Sequence, residues 1–185
     1  MNNVMLDIET MDSGSFSAIT SIGAVKFGNE KVDEKNAFYV KVKLQSCMDL
    51  GMTVSASTIE WWMSQSDAAR DEMFGGDRTS IGVALYNFGE WARESSKFED
   101  RKVWGNGATF DNVILSNAYA AARKKDGSLY KRPWSYKGDR CYRTLYNLCP
   151  EIELDRTGEH HNAKDDAITQ ARHLIKVAKK LGVRL

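Results

Sequence analysis

The chain is poor in the features that mark membrane-spanning, disulfide-bonded and zinc-ribbon proteins. It has only three cysteines, Cys47, Cys141 and Cys149, and the absence of a CxxC spacing argues against a disulfide framework and a zinc ribbon. No run of about 18 apolar residues is present, so no membrane span is expected. The N-terminal MNNVMLDIE lacks the basic and apolar regions of a signal peptide. Free thiols in a reducing compartment are the expected state, and the sequence predicts a cytoplasmic protein.

The chain is also close to electrically neutral, with a formal net charge of +1. Such a protein does not attract polyanions as a whole, so any contact with nucleic acid has to come from local clusters of Lys and Arg. The hydrophobic fraction of 42% and the charged fraction of 28% are ordinary for a globular protein. A length of 185 residues suits a sizeable core, and we expect residues 1–185 to form a single domain.

Hydrophobic periodicity predicts three strands followed by alternating helices and strands. Residues 4–8, about 18–27 and 37–43 have strand patterns with short turns between them, which predicts an antiparallel meander. The later elements are a short helix opened by a capping box at Ser57, a helix over about 79–95, a strand at 102–104, a helix over about 110–124, a helix capped by Asp139, and a last helix over 163–181 ended by Gly182. Helices on a mixed sheet give an α/β fold with ribonuclease H-like topology.

Asp7 and Glu9 are the first acidic pair that suits a metal site. They lie two residues apart on the first predicted strand, so both side chains leave the same face of the sheet. Two neighbouring carboxylates repel each other and need a counter-charge, which a divalent cation with oxygen ligands supplies. The alternative is a half-exposed strand whose acidic face lies in water.

Asp111 is a second acidic residue that suits a metal site, because of where it stands in the predicted fold. It stands where a short strand and the turn GNG give way to a helix, immediately after Phe110, which is expected to pack under the loop. A carboxylate there can be a metal ligand. The alternative is a plain N-cap near the positive end of the helix dipole.

The third acidic segment, HHNAKDDA, offers two pairs with one spacing: His160 with Asp165, and His161 with Asp166. Asn162 is a good N-cap, which places Asp165 in the first turn, where an acid satisfies free backbone donors. Asp166 borders the apolar stripe of the helix, so we assign Asp166 to the site and Asp165 to capping. His161 then lies about one turn before Asp166, and free histidine titrates near neutral pH, as a general base should. The alternative for His161 is a loop histidine that bonds to the backbone.

The order of these segments and the adjacent histidine favour hydrolysis of a phosphodiester with two divalent cations. The motifs are similar to those of the DEDDh exonucleases, the family of the proofreading subunit of bacterial DNA polymerase III. The matching segments are DIET with the later ITSIGAV, TFD at a helix start, and HNAKDDA. IEWWMSQS and WGNGATFDNVIL further resemble the branch that contains ribonuclease AS and phage exodeoxyribonuclease A. The resemblance covers most of the chain.

The resemblance implies a 3′–5′ exonuclease that hydrolyses single-stranded RNA or DNA from the 3′ end and releases nucleoside 5′-monophosphates. It implies two Mg²⁺ or Mn²⁺ ions, with Asp7 bridging them, Glu9 and Asp166 on the first ion, and Asp111 on the second. His161 would take a proton from the attacking water. Family members often dimerise, so the resemblance also allows a homodimer in which a basic loop reaches the partner's cleft.

Some substrate-binding residues follow from the same resemblance. Thr10 and Met11 correspond to positions that hold the terminal nucleotide. Many family members have His-Asn-Ala before x-Phe-Asp, whereas this chain reads NGATFD from Asn106 onward. Asn106 is therefore the expected replacement for the missing histidine contact, and Phe110 lies next to Asp111 in the same motif.

The segment 123–143 combines cations with aromatic residues, which predicts a surface for single-stranded nucleic acid. Cations such as Lys131 and Arg132 can follow phosphates, while aromatic faces such as Trp134 can stack on bases. The alternative is a solvated loop with some of its aromatics in the core. Trp62 is also assigned to the substrate, although helix geometry lets only one of Trp61 and Trp62 face inward.

Two competing functions are consistent with these motifs. One is a nuclease-like module that binds nucleic acid but has lost catalysis, against which the complete set of acids argues. The other is an endonuclease with a related sheet.

Overall fold

A computed structural model describes residues 1–107, 109–124, 126–156, 158 and 161–185, and it shows a five-stranded mixed sheet with helices on both faces. The strands are β1 (Asn3–Thr10), β2 (Ile19–Phe27), β3 (Phe38–Lys41), β4 (Lys102–Gly105) and β5 (Asp139–Cys141). Their order is β3-β2-β1-β4-β5, in which β3, β2 and β1 are antiparallel neighbours and β1, β4 and β5 are parallel. The predicted meander and mixed sheet are confirmed.

The described helices lie mostly between β3 and the C-terminus. They are α1 (Leu44–Met48), α2 (Ala56–Met63), α3 (Asp67–Phe74), α4 (Ile81–Arg93), α5 (Asp111–Ala121), α6 (Tyr142–Tyr146) and α7 (Ala163–Leu181), with short 3-10 turns at Glu34–Asn36 and Tyr136–Gly138. Within the described part of the chain, no helix is both long enough and apolar enough to cross a membrane. Cys47 and Cys149 are buried free thiols, as the composition predicts.

Alternation along β1 divides the core into two layers. Val4, Leu6 and Ile8 face the layer that contains α4 and α5, and they are almost fully buried there. Met5 points the other way, into the layer that α7 covers. Because side chains alternate along a strand, the next residues on the Met5 face are Asp7 and Glu9. The same pattern that builds the core therefore directs two carboxylates toward α7.

Two predicted helix starts are wrong. The short helix α2 is capped by Ser55, whose hydroxyl accepts a hydrogen bond from Thr58 N at 3.2 Å, and not by Ser57. Asp139 does not cap a helix, because residues Asp139–Cys141 pair with β4 as the edge strand β5. Its carboxylate instead accepts hydrogen bonds from Trp134 Nε1 and from Asn112 Nδ2.

The last helix is found with the predicted bounds. Asn162 Oδ1 accepts hydrogen bonds from Lys164 N at 3.1 Å and from Asp165 N at 3.2 Å, which satisfies two free donors of the first turn. Gly182 ends α7 in the left-handed conformation, with φ at 66°.

A close contact at Gly23 sets the distance between α7 and the sheet. Gly23 on β2 is the register partner of Asp7 on β1. A Cβ added at Gly23 would lie only 2.1 Å from Ala163 C and 2.2 Å from Lys164 N. The first turn of α7 thus lies directly on the backbone of β2, beside Asp7. This packing brings the start of α7 next to the acidic end of β1.

We therefore expect Gly23→Ala to lower the free energy of unfolding, by about 1–3 kcal/mol or more, because helix and strand backbones have to separate. Chemical denaturation followed by far-UV circular dichroism measures the loss. Gly28→Ala is the matched control on the same hairpin, since a Cβ there meets nothing within 4 Å. Equal stability of Gly23→Ala and the wild type would contradict the close packing of α7.

Candidate active site

A cleft of about 430 Å³ opens where β1 ends, between the first turns of α5 and α7 and the side of α2. Five predicted residues line it together, although they lie in three distant parts of the sequence: Asp7, Glu9, Asp111, His161 and Asp166. The parallel pairing of β1 with β4 explains part of this convergence, because the carboxyl ends of parallel strands meet at one edge of a sheet.

Asp7 and Glu9 enter the cleft from β1. Asp7 Oδ1 accepts a hydrogen bond of 2.7 Å from Gln170 Nε2, which comes from the second turn of α7. Gln170 is buried, and its Oε1 has no hydrogen-bond partner among the described residues. The Gln170 amide therefore fixes one oxygen of Asp7 without supplying a positive charge.

Asp111 is held by the backbone rather than by its own helix. Strand β4 pairs with β1 only as far as Met5, which leaves Ile8 N without a strand partner on that side. Asp111 Oδ1 accepts from Ile8 N at 3.2 Å, and Oδ2 accepts from Asn106 N at 2.7 Å. A Cβ at Gly105 would lie 3.0 Å from Asp111 Cβ, so glycine allows this approach. The alternative that Asp111 is an N-cap is wrong, since the cap position is Phe110.

The helix register separates the two aspartates of α7 as predicted. Asp166 lines the cleft, whereas Asp165 does not. Asp166 Oδ2 accepts from His161 N, and Oδ1 accepts from Arg156 Nη1, both at 3.0 Å. His160, the histidine of the other pair, lies outside the described residues.

His161 is fixed in an unusual backbone conformation. Its φ of 67° is left-handed, which is costly for a residue other than glycine and is found preferentially at functional sites. The His161 ring packs edge-on against Trp61 and Trp62, with centroid distances of 5.0 and 5.6 Å. Its Nδ1 lies 3.9 Å from Glu9 Oε1. Backbone and ring contacts together direct the imidazole into the acidic cleft.

Burial and mutual repulsion dominate the electrostatics of the cleft. Burial, and then repulsion from Asp111, Glu9 and Asp166, raises the pKa of Asp7 well above its ordinary value, against a smaller lowering effect of the Gln170 hydrogen bond. Burial and then repulsion from Asp166 and Asp111 raises the pKa of Glu9 as well. For Asp111, burial raises the pKa to about 6, although hydrogen bonds from Asn106 N and Ile8 N oppose the rise.

The donor atoms of the cleft suit a divalent cation. One ligand atom each from Glu9, His161 and Asp166 lies within 4.8 Å of the other two, which is a spacing that one ion can bridge. Carboxylate oxygens are the ligands that Mg²⁺ and Mn²⁺ prefer. The raised pKa values also show that negative charge here lacks enough compensation, which a bound cation would supply.

The predicted substrate residues next to the acids divide into two groups. Thr10, Asn106 and Phe110 line the cleft as expected. Met11 is only 3% exposed and packs in a small core, so its side chain does not line the cleft. Trp62 borders the cleft but is 1% exposed, with its Nε1 bonded to Thr10 O.

Trp61 has the ring that is available to a ligand. It is 43% exposed and lies over Trp62 and His161. Helix geometry correctly predicts that only one of the two tryptophans faces inward: Trp62 is the buried one, and Trp61 is the exposed one.

Most of the predicted basic and aromatic surface, residues 123–143, lies outside the cleft, and Arg143 at its end is the described residue of that segment that lines it. Trp134 is fully buried, and its Nε1 donates to Asp139, so it cannot stack on a base. Arg132 bonds to Ser116 Oγ and lies over the Trp134 ring. Neither Arg132 nor the exposed Lys131 lines the cleft. The alternative, a loop whose aromatic residues belong partly to the core, describes Trp134 correctly.

Arg143 lines the cleft and comes from the end of the predicted basic segment 123–143. It donates to Asn106 O at 3.0 Å and to Asn106 Oδ1 at 3.3 Å. Gln170 and Arg156 also line the cleft, although the sequence analysis does not assign them to the site. Gln170 follows Asp166 by one helical turn, so helix periodicity could have identified it. Nothing in the spacing of Arg156 relates it to the acids.

Comparison with known proteins identifies relatives of the whole chain. A family model described as 3′-5′ exoribonuclease Rv2179c-like domain matches residues 2–178. The exodeoxyribonuclease of Enterobacteria phage T4 is 27% identical over 150 residues, which are 76% of this chain and 66% of the phage protein. The chain thus spans slightly less than two thirds of that relative's length.

Solved structures share the fold at low sequence identity. Exonuclease X, in complex with 5′ overhanging duplex DNA, has a TM-score of 0.58 and 17% identity, with 97% of this chain and 93% of that chain covered. The nuclease domain of 3′hExo, a DEDDh family member bound to rAMP, has a TM-score of 0.58 and 14% identity, with 96% and 92% covered. The predicted ribonuclease H-like α/β fold is confirmed. With its family model matched over almost its full length, the chain belongs to the 3′-5′ exoribonuclease Rv2179c-like domain family.

Proposed function

We propose that the protein is a metal-dependent exonuclease that removes nucleotides one at a time from the 3′ end of single-stranded RNA or DNA. The products are nucleoside 5′-monophosphates. The observation that carries this proposal is the meeting of Asp7, Glu9, Asp111 and Asp166 with His161 in one cleft of a chain from this family.

The four carboxylates would hold two Mg²⁺ or Mn²⁺ ions. When bound, such ions stabilise the attacking and leaving oxygens of an in-line displacement. Asp7 would be a ligand of both ions, and its repulsion by each of the other three acids supports this role. Glu9 and Asp166, whose ligand atoms lie close together, would serve the first ion, and Asp111 would serve the second.

His161 is the proposed general base. Its bond from the backbone N to Asp166 and its edge-on packing on Trp61 hold the imidazole beside Glu9. An imidazole that titrates near neutral pH can take the proton of the attacking water and release it to solvent. Positioning matters here because the base has to lie within hydrogen-bond reach of that water.

The 3′-terminal nucleotide would lie between the acids and α2. Trp61 of α2 and Phe110, which precedes α5, both line the cleft, and the exposed Trp61 ring can stack on a base. Thr10 lines the cleft next to Glu9. Arg156, which pairs with Asp166 at 3.0 Å, can turn its guanidinium toward a phosphate.

A homodimer is a further part of the proposal. Lys131 lies exposed and outside the cleft of its own chain, where it could contact the substrate of a partner subunit. Light scattering after size exclusion measures the mass. A monomer with full activity would remove this part of the proposal and leave the exonuclease unaffected.

Neutral substitution of the metal ligands should abolish turnover and keep the fold. We expect Asp7→Asn and Asp166→Asn to lose at least as much activity as loss of a general base, which typically costs about 10²- to 10⁴-fold, and His161→Ala to lose an amount in that range. Single-turnover digestion of a 5′-labelled oligonucleotide measures the rates. Asp165→Asn is the matched control, one residue away and outside the cleft. Wild-type activity in Asp166→Asn with none in Asp165→Asn would contradict the assigned register.

A linear strand with a free 3′ end should shorten one nucleotide at a time, while a circle of the same sequence stays intact. The physical reason is that only a chain end places one nucleotide beyond the scissile phosphate in the cleft. Electrophoresis of matched RNA and DNA oligonucleotides with Mg²⁺ or Mn²⁺ gives product lengths and the sugar preference. Chelation by EDTA should stop both reactions. Cleaved circles would indicate an endonuclease, and binding without products would indicate a catalytically silent module.

Stability should depend on pH and on metal in a linked way. Without metal, the raised pKa values of Asp7, Glu9 and Asp111 mean that the folded protein binds more protons than the unfolded chain above the ordinary pKa of Asp, 3.8. The free energy of unfolding should therefore fall as pH rises from about 4 to 7, and Mg²⁺ should reduce that fall by binding the ionised acids.

Denaturation curves in EDTA and in Mg²⁺ across this range measure both effects. Asp7→Asn should flatten the fall. Asp12→Asn is the control, because hydrogen bonds from Thr53 and Ser13 lower the pKa of the half-buried Asp12 and keep its titration below this range. A metal-free protein that gains stability between about pH 4 and 7 would contradict the linked titration of the cleft.

A further inference from the structure

A second groove adjoins the acidic cleft on the side away from α2. Its volume is about 560 Å³, and it shares Asn106, Phe110 and Arg143 with the cleft. Thr109, Thr144 and Asn147 add polar groups along it. A ligand that fills the cleft can therefore continue into this groove without leaving the protein surface.

Arg143 is held at the junction between the cleft and the groove. It is exposed on α6, and its Nη2 and Nε donate to Asn106 O at 3.0 Å and Asn106 Oδ1 at 3.3 Å. The guanidinium is close enough to Asp111 to oppose the rise in the pKa of that acid. Because two bonds already restrict its rotamers, Arg143 loses little entropy when its remaining donors bind an anion.

Two further arginines lie near the groove. Cys141 lines both the groove and a hollow of about 360 Å³, and Arg132 and Arg140 also line that hollow. Asp139 lies 3.4 Å from Arg132 and compensates part of that charge. Arg140 donates to Lys137 O and Asp139 O, so its position is also defined. Successive arginines along a groove suit a chain of phosphates.

The other cavity beside the cleft suits a phosphate chain less well. It has a volume of about 490 Å³ and shares Arg156 and Asp166 with the cleft. Tyr142, Ile152 and Leu154 give it a more apolar lining. Within this lining, Arg156 is the arginine available to an anion, and it already pairs with Asp166.

We propose that the groove beside Phe110 binds the nucleotide on the 5′ side of the scissile bond, and that Arg143 binds the phosphate on the far side of that nucleotide. This inference rests on the proposed exonuclease function. The strand then leaves toward Arg140, so that the 3′ end lies near Trp61 and the 5′ portion follows the arginines.

Short substrates test this arrangement one phosphate at a time. A dinucleotide with a 5′ hydroxyl fills the cleft and the groove but lacks the phosphate for Arg143, whereas a trinucleotide has it. We expect the wild type to have a higher kcat/KM on the trinucleotide. Arg143→Ala should lower the ratio of kcat/KM for trinucleotide over dinucleotide about tenfold or more, since a hydrogen bond to a charged group is lost.

Two further variants define the effect. Arg143→Lys keeps the charge but replaces the planar fork of donors with one ammonium, which holds Asn106 and a phosphate together less well, so its ratio should lie between those of the wild type and Arg143→Ala. Arg184→Ala is the matched arginine control, because Arg184 is exposed beside Asn29, at the turn after β2 and away from the cleft. Its ratio should equal that of the wild type.

A binding measurement gives a readout that does not depend on turnover. Fluorescence anisotropy of a labelled single strand in EDTA at increasing salt gives a slope of log affinity against log salt. Removal of one phosphate contact should reduce that slope by about 0.7. Circular dichroism and a denaturation curve confirm that Arg143→Ala is folded.

The outcomes separate the two proposals. A wild type that digests neither short nor long oligonucleotides would overturn the exonuclease proposal and this inference with it. An active wild type without a preference for the trinucleotide would overturn the groove alone. Equal losses of Arg143→Ala on both substrates would also overturn it, and would mean that Arg143 supports the Asn106 turn instead of a phosphate.

Discussion

The repulsion among buried carboxylates is the constraint on which the site depends. Burial and neighbouring acids raise the pKa values of Asp7 and Glu9, and burial raises that of Asp111. Neutral donors such as Gln170 Nε2 and Ile8 N bond to these groups, but they leave the net charge of the cleft unchanged. An unpaired buried charge is costly, so the fold has to maintain this cluster through strong packing elsewhere. A cation in the cleft would relieve this repulsion, and the relief would contribute to the free energy of metal binding.

Two glycines and the short pairing between β1 and β4 allow the acidic residues to come close together. Gly23 lets α7 lie on the backbone of β2, and Gly105 lets Asp111 reach the edge of β1. Strand β4 ends its pairing with β1 at Met5, so Ile8 N is available to the Asp111 carboxylate. The cleft therefore arises from a mismatch in strand length together with two glycine contacts. Larger side chains at Gly23 and Gly105 would move the acids apart, although the acids themselves would be unchanged.

Helix rules predicted the part of the site that depends on local sequence. The N-cap Asn162 and the apolar stripe of α7 correctly separated Asp166 from Asp165. The composition of a loop does not show which of its side chains point into the core. Trp134 is in the core although its neighbours in the sequence are basic. The edge strand at Asp139–Cys141 was missed because three residues carry no periodicity and pair only when β4 lies beside them. Long-range pairing and side-chain direction in loops are thus the parts that required the three-dimensional structure.

The same electrostatics relate metal binding to nucleic-acid binding. A phosphate chain that approaches an uncompensated acidic cleft is repelled, and the arginines at its margin, Arg143 and Arg156, offset only part of that repulsion. Bound cations would reverse the local potential and favour the strand, and by linkage the strand would then favour the cations equally. The pair between Arg156 and Asp166 bears on this coupling, because a cation at Asp166 would compete with Arg156 for the same carboxylate. An Arg156 guanidinium displaced in this way would be available to a phosphate of the proposed substrate, so that metal binding and strand binding would support each other through this pair.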